Sequence, residues 1–205
     1  MKRPRKIALY AVAVAAAACV IAAAILTRSD EPSIAGFVYP EPRVISPFRL
    51  AAQDGKPFDL ESLKGRWTFV YFGYTYCPDV CPTTLAELAR AKKLLDQAGG
   101  PAQYVFVSVD PLRDTPKRLA QYVAFFDPGF VGATGSDEAL TALTRQIGVA
   151  YSFPEGTKGA TYAVDHSSIV ALFDPEARLH AVFTPPQEAE GIADGFRKIL
   201  GGRSG

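Results

Sequence analysis

The sequence has little net charge, few histidines and few cysteines. Its 22 lysines and arginines nearly balance 21 aspartates and glutamates, which leaves a net charge of +1. A near-neutral balance gives no reason to expect a nucleic-acid partner. No internal repeat is visible, and no low-complexity tract beyond an alanine-rich segment near the start. With 205 residues, 48% of them hydrophobic, the chain is long enough for one globular domain and an additional segment.

The additional segment lies at the amino end. Four basic side chains within residues 1–6 precede 20 uncharged, almost wholly apolar residues from Ile7 to Leu26. At about 1.5 Å per residue, a helix of this length spans about 30 Å, the thickness of the bilayer core. The sequence therefore predicts one N-terminal transmembrane helix in the cytoplasmic membrane. Its basic flank is expected in the cytoplasm and the rest of the chain in the periplasm.

Two alternatives exist for this segment. A cleaved signal peptide has a shorter apolar region, commonly 7 to 15 residues, although Ala22 to Ala24 offer small residues for cleavage. A lipoprotein signal would use Cys19, but the apolar run continues beyond that residue. An uncleaved anchor is the favoured interpretation, with Cys19 as a small apolar residue within it. The predicted organisation is a cytoplasmic flank (1–6), a transmembrane anchor (7–26), a tether (27–45) and a folded domain (46–205).

The folded domain alternates between apolar strands and amphipathic helices. A hairpin with an Asp54-Gly55 turn is predicted first. Strands are predicted from β-branched and aromatic runs, over 67–72, 104–109, 130–133, 161–164, 168–173 and 178–183. Helices are predicted from apolar residues at helical spacing, over 83–95, 116–126, 137–147 and 187–200. This order, a βαβ half followed by a ββα half, predicts an α/β thioredoxin-like fold with a central mixed sheet flanked by helices.

Cys77 and Cys81 lie on the predicted turn between the first buried strand and the first long helix. Backbone N–H groups and the helix dipole at such a position lower a thiol pKa, and the thiolate is the form that attacks disulfides or binds metals. A purely structural disulfide fits poorly, because so short a loop removes little entropy from the unfolded chain. Thioredoxin-type redox pairs have two intervening residues, and here there are three. The wider spacing suits two sulfurs around a soft metal such as Cu(I).

His166 is the candidate for a third ligand. It follows a predicted strand whose end lies beside the cysteine turn in this layout, and Asp165 is a candidate to orient its imidazole. A lone histidine is nevertheless more often a surface or packing residue. His180 lies in an alternating strand and is expected to face solvent.

Three aspartates lie near these residues, and two of them, Asp110 and Asp114, are expected to have structural roles. Asp110 is expected to cap a strand end, and Asp114 to serve as a turn residue before the helix that starts at Thr115-Pro116. Asp79, between the cysteines, stays open between metal tuning, partner docking and capping of the helix start.

Three motifs, in this order, closely resemble those of the Sco/SenC family. They are Phe72-Gly73-Tyr74-Thr75-Tyr76-Cys77-Pro78-Asp79-Val80-Cys81-Pro82, Ser108-Val109-Asp110-Pro111-Leu112-Arg113-Asp114-Thr115-Pro116 and Val164-Asp165-His166-Ser167-Ser168. That family consists of membrane-tethered, thioredoxin-like copper proteins involved in cytochrome c oxidase assembly. The resemblance extends over about residues 46–200. It implies that Cys77, Cys81 and His166 bind copper, with Cu(I) as the first candidate and Cu(II) as the second.

The resemblance implies two functional hypotheses. A metallochaperone would deliver copper to the binuclear site in the copper-accepting subunit of cytochrome c oxidase. A thiol-disulfide reductase would use Cys77 and Cys81 as a redox pair to keep the cysteines of that site reduced. Other copper chaperones and thioredoxin-like reductases are further candidate partners. A peroxidase of the peroxiredoxin kind fits least, because such enzymes have a threonine where this chain has Tyr74. Only the three-ligand copper site requires His166.

Overall fold

The computed structural model describes residues 34–97, 102–153 and 162–202. The predicted anchor (7–26), with Cys19, and the first part of the predicted tether lie outside these ranges. Within them, no helix combines the length and the apolar character needed to cross a membrane.

The described residues form ten strands and five helices. The strands are β1 (Gly36–Arg43), β2 (Arg49–Ala52), β3 (Pro57–Asp59), β4 (Trp67–Gly73), β5 (Ala102–Ser108), β6 (Val131–Thr134), β7 (Tyr151–Ser152), β8 (Asp165–His166), β9 (Val170–Phe173) and β10 (Leu179–Phe183). The helices are α1 (Leu60–Leu63), α2 (Val80–Gln97), α3 (Pro116–Phe126), α4 (Asp137–Ile147) and α5 (Ala189–Gly202).

Eight of the strands form one mixed sheet in the order β1-β10-β9-β4-β5-β6-β2-β3. Strands β4, β5 and β6 are parallel, as expected for strands joined through helices. Strand β9 pairs antiparallel with β4, and β10 pairs antiparallel with β9. This is the predicted central mixed sheet. Every residue of β4 is buried, so the strand that leads into the cysteine turn lies in the middle of the core.

Local sequence signals set several helix ends. The Thr115 side chain accepts a hydrogen bond from the backbone N–H of Arg118, and Pro116 occupies the first turn of α3. Gly148 ends α4 in the left-handed conformation, at φ 86°, which glycine adopts without the steric cost that other residues incur. The predicted helix start at Thr115-Pro116 and the predicted helix end at residue 147 are thus both confirmed.

The domain starts earlier than predicted. The range 27–45 was predicted to be a tether, yet Gly36–Arg43 forms β1 and pairs antiparallel with β10. The prolines and charges of this stretch indicated a linker. The pairing nevertheless covers the edge that β10 would otherwise expose, and free edges are unfavourable in a sheet.

Two further expectations differ from the structure. A strand was predicted over 161–164, whereas residues 162–164 have no regular structure and the strand is instead β8, which pairs with β7 in a separate two-stranded ladder. His180 was expected to face solvent, but its side chain is only 12% exposed. Its ring packs edge-on against Trp67, with centroids 5.1 Å apart.

Candidate metal centre

The two cysteines occupy the connection between β4 and α2. Strand β4 ends at Gly73, and α2 begins at Val80, so Cys77 lies in the connecting turn and Cys81 in the first turn of the helix. Cys81 is fully buried, whereas Cys77 is 9% exposed. Both thiols are free. The site therefore has one inner sulfur and one outer sulfur.

His166 completes a three-residue cluster with this pair. One ligand atom from each of Cys77, Cys81 and His166 lies within 4.8 Å of the other two. Cys81 Sγ lies 3.3 Å from His166 Nε2. The structure thus brings together all three residues that the sequence singled out as ligands. Asp79 is exposed and lies outside the cluster.

The donor set fits a soft metal ion. Two thiol sulfurs and an imidazole nitrogen suit Cu(I), Cu(II) and Zn²⁺, whereas Ca²⁺ and Mg²⁺ require oxygen ligands. The cluster contains no carboxylate. A hard cation is therefore excluded from this cluster by its ligand chemistry.

Burial and hydrogen bonding make the two thiols unequal. The pKa of Cys77 is lowered, chiefly because the Cys81 thiol donates a hydrogen bond to it. Burial acts in the opposite direction, while His166 and the backbone N–H groups of Asp79 and Cys81 add to the lowering. The pKa of Cys81 is raised, because its proton is shared with Cys77 and because it is buried. Of the two thiols, Cys77 is therefore the one that ionises first.

Two tyrosine rings and one carbonyl surround the His166 imidazole. Tyr71 and Tyr74 contact it edge-on, with ring centroids 6.3 and 5.8 Å away. His166 Nδ1 lies 3.2 Å from the carbonyl oxygen of Ser167. A carbonyl only accepts hydrogen bonds, so Nδ1 carries a proton, and Nε2 is the ring nitrogen that faces the sulfurs. Asp165, which the sequence suggested for this orienting role, is exposed, and the carbonyl of Ser167 takes its place.

Gly73 allows the end of β4 to approach Cys81 closely. A Cβ atom at this position would lie 2.6 Å from Cys81 Sγ and 3.0 Å from Cε2 of Phe106. No side chain larger than hydrogen fits there unless the sulfur moves.

Asp114 supports the cysteine turn from outside the metal cluster. Its fully buried carboxylate accepts hydrogen bonds from the Thr75 N–H at 2.8 Å, the Thr75 hydroxyl at 2.6 Å and the Ser108 hydroxyl at 2.5 Å. The prediction that Asp114 has a structural role is thus correct. Its contact with Thr75, however, joins residues 39 positions apart and is not part of a local turn. No local pattern marks that contact, although both residues belong to the motifs quoted above.

Asp110, predicted to cap the end of β5, is also buried. Its carboxylate accepts a hydrogen bond from Arg113 Nε at 2.5 Å and another from the Tyr162 hydroxyl at 2.7 Å. Tyr162 was not recognised as a site residue from the sequence.

Comparisons with known proteins show one family. The SCO1/SenC family model matches residues 39–201. A protein of Stutzerimonas stutzeri is 34% identical over 189 residues, which are 90% of this chain and 91% of that protein. The mitochondrial SCO1 homolog 1 of Arabidopsis thaliana is 38% identical over 155 residues, 75% of this chain but only 46% of that protein's length.

A solved structure shows the same fold with metal. The crystal structure of Arabidopsis thaliana ScoI with copper bound has 36% identity and a TM-score of 0.71, and the match covers 77% of this chain and 99% of that one. This likeness confirms the predicted thioredoxin-like fold of the described domain.

Proposed function

Because the chain belongs to the SCO1/SenC family, we propose that it is a copper chaperone for cytochrome c oxidase assembly. In this proposal, Cys77, Cys81 and His166 bind copper and release it to the copper-accepting subunit of the oxidase. Copper is the protein's cargo and not a catalyst.

One observation carries the proposal: the three soft donors converge within 4.8 Å although His166 lies 85 positions from Cys81. The Arabidopsis neighbour, which has the same fold, holds copper. A fold that brings two sulfurs and an imidazole together at one point supports copper binding there.

The exposure of the site suits transfer. Cys81 is fully buried, whereas Cys77 is 9% exposed and His166 is half-buried. An open surface depression lined by Tyr151, Asp165 and His166 borders the cluster. Ligands of a partner protein can therefore reach the metal from the side of Cys77 and His166 while Cys81 still holds it.

We further propose that residues 7–26 anchor the protein in the cytoplasmic membrane, with the folded domain in the periplasm. The support is the apolar run of 20 residues behind a basic flank. Resistance of the protein to extraction from membranes by alkaline carbonate would test this, and release in that treatment would contradict it.

The second candidate function is thiol-disulfide reduction. The observation in its favour is the inequality of the thiols, because a lowered pKa of Cys77 next to a buried Cys81 thiol resembles the arrangement of an attacking and a resolving cysteine. Such a reductase does not require His166. A variant that lacks His166 therefore separates the two functions.

The experiment is a copper titration of the reduced protein in competition with a chromophoric Cu(I) chelator. The His166→Ala variant should bind copper at least about 10-fold more weakly, since even residues that only support a ligand commonly contribute 10- to 100-fold. His180→Ala, at the other histidine of the chain, is the matched control and should leave copper affinity unchanged. Unchanged affinity in His166→Ala would exclude the three-ligand site.

The delivery step is tested in cells. A strain carrying His166→Ala should lose oxidase activity and regain it with added copper. Full oxidase activity in that strain, together with loss of activity in a Cys77→Ser, Cys81→Ser strain, would favour the reductase instead.

A further inference from the structure

We propose that Tyr162, held by Asp110 and Arg113, is the positioning residue that keeps His166 beside the two cysteines. This inference rests on the proposed copper site. It assigns to Tyr162 a contribution to copper affinity that operates through His166 alone.

His166 has little regular structure of its own to hold it. It belongs to β8, a strand of two residues that pairs with the two residues of β7. This ladder is separate from the eight-stranded sheet that carries the cysteine turn. Isolated two-stranded pairs are marginally stable even when they are longer than this. Contacts beyond the ladder are therefore needed to fix the imidazole.

Tyr162, four residues before His166, makes such contacts through both its side chain and its main chain. Its hydroxyl donates a hydrogen bond to Asp110 Oδ1 at 2.7 Å. Its carbonyl oxygen accepts one from an Arg113 guanidinium N–H at 2.9 Å. The Arg113 guanidinium carbon also lies 3.4 Å from the centroid of the Tyr162 ring, within the range of cation–π contacts. The position and the orientation of this residue are thus both specified.

The partners of Tyr162 are themselves well fixed. Asp110 is fully buried, the Arg113 side chain is 10% exposed, and Arg113 Nε lies 2.5 Å from Asp110 Oδ2. A buried carboxylate needs such compensation, and a short ion pair between residues three apart provides it. Tyr162 therefore attaches the chain that leads to His166 to a rigid support.

The same polar network reaches the cysteine turn. The Asp110 N–H donates to the Ser108 hydroxyl at 3.1 Å, and that hydroxyl donates to Asp114. Asp114 in turn accepts a hydrogen bond from the Thr75 N–H, two residues before Cys77. One buried network thus holds the two separate parts of the metal centre, the cysteine turn through Thr75 and the histidine strand through Tyr162. This arrangement can fix the distance between the ligands before copper arrives.

A merely structural role for Tyr162 makes a different prediction. If its hydrogen bonds only stabilised the fold, their loss would affect copper binding equally with and without His166. If they position His166, their loss should matter only while His166 is present, because the apparent affinity depends on the fraction of molecules whose ligand is in place. A double-mutant cycle separates these cases.

The experiment measures the Cu(I) affinity of four full-length proteins: wild type, Tyr162→Phe, His166→Ala and the double variant. Tyr162→Phe should weaken binding by about 3- to 10-fold, the effect expected for the loss of one typical intramolecular hydrogen bond. In the His166→Ala background the same change should alter affinity less than about 2-fold. Tyr104→Phe is the matched control, because it removes a buried phenol hydroxyl that has no hydrogen-bond partner in the described structure. Its affinity should equal that of wild type.

A second measurement reports on the imidazole directly. Electron paramagnetic resonance of the Cu(II)-loaded protein should show the nitrogen coupling of His166 in wild type and a smaller coupled fraction in Tyr162→Phe. Arg113→Lys keeps the positive charge beside Asp110 but loses the planar guanidinium, and should have the same effect. It replaces Tyr162→Phe if that variant does not fold.

The outcomes are distinct. Equal losses in both backgrounds, or wild-type affinity and coupling in Tyr162→Phe, would overturn the positioning role while leaving the copper site intact. Wild-type affinity in His166→Ala itself would instead overturn the copper site proposed above.

Discussion

The backbone N–H of Thr75 donates a hydrogen bond to the Asp114 carboxylate at 2.8 Å, although the two residues lie 39 positions apart. Thr75 precedes the first cysteine by two residues, and Asp114 precedes α3. The geometry of the metal centre therefore depends on a carboxylate that binds no metal.

Replacing Asp114 should loosen the cysteine turn. In Asp114→Asn an NH2 group takes the place of one carboxylate oxygen, so that it faces the donors of Thr75 or Ser108 and leaves one of them unsatisfied. The free energy of unfolding should fall by about 1–3 kcal/mol, measured by denaturation in urea, and copper affinity should fall with it. Asp194→Asn is the control, because Asp194 is exposed and pairs only at the surface with Arg197. Equal unfolding midpoints for the two variants would refute the role of Asp114.

Adding one methyl group to Gly73 should displace the inner sulfur. In Gly73→Ala the new Cβ would lie 2.6 Å from Cys81 Sγ, so the sulfur has to leave its present position beside His166. Copper affinity should fall by about 10-fold or more, the range seen when the surroundings of a ligand are disturbed. Gly191→Ala, where a Cβ meets nothing within 4 Å, is the matched control and should bind copper like wild type. A wild-type affinity for Gly73→Ala would mean that the site tolerates the shift.

The reactivity of Cys77 should depend on its neighbour's proton. The Cys81 thiol lowers the pKa of Cys77, so without metal the Cys77 thiolate should persist below the ordinary thiol range near pH 8.5. In Cys81→Ala this donor is absent and the pKa of Cys77 rises. Alkylation of Cys77 by iodoacetamide at pH 6 should then slow by about 10-fold or more, whereas the rates at pH 9 should be similar.

Cys81→Ser provides the comparison for this experiment, because its hydroxyl still donates to Cys77. Its rate at pH 6 should stay closer to that of wild type than the rate of Cys81→Ala. The same pH profile in all three proteins would show that the Cys81 thiol does not lower the pKa of Cys77.

The parts of the site that depend on local sequence were predictable. Cys77 and Cys81 are four residues apart across the turn into α2, so their short separation along the chain keeps the two sulfurs close together. The burial of β4 follows in the same way from its β-branched and aromatic residues. The start of α3 follows from Thr115-Pro116, and the end of α4 from Gly148.

The parts that depend on distant contacts were not predictable in detail. His166 could be placed near the cysteines only through the expected order of strands, and its actual support, β8 with β7, was missed. Tyr162 interacts with residues 49 and 52 positions away, and no local pattern marks it. β1 was missed because Pro40 and Pro42 favour a linker, whereas its pairing partner β10 lies about 140 residues further along the chain.

The position of β1 has a practical consequence. Gly36 pairs with Phe183, Phe183 with Val170, and Val170 with Tyr71, so β1 begins at the end of the sheet that carries Tyr71 and the cysteine turn. Helix α5 runs beside α2 in the same direction, because its first residue, Ala189, bonds to Glu87 and its later Arg197 bonds to the carbonyl of Leu94. It therefore ends near the carboxyl end of α2, away from the cysteine turn. An affinity tag or a linker to a sensor surface should therefore be attached after α5. The same attachment just before Gly36 would lie at the end of the sheet that carries the cysteine turn, on a strand three places away from β4.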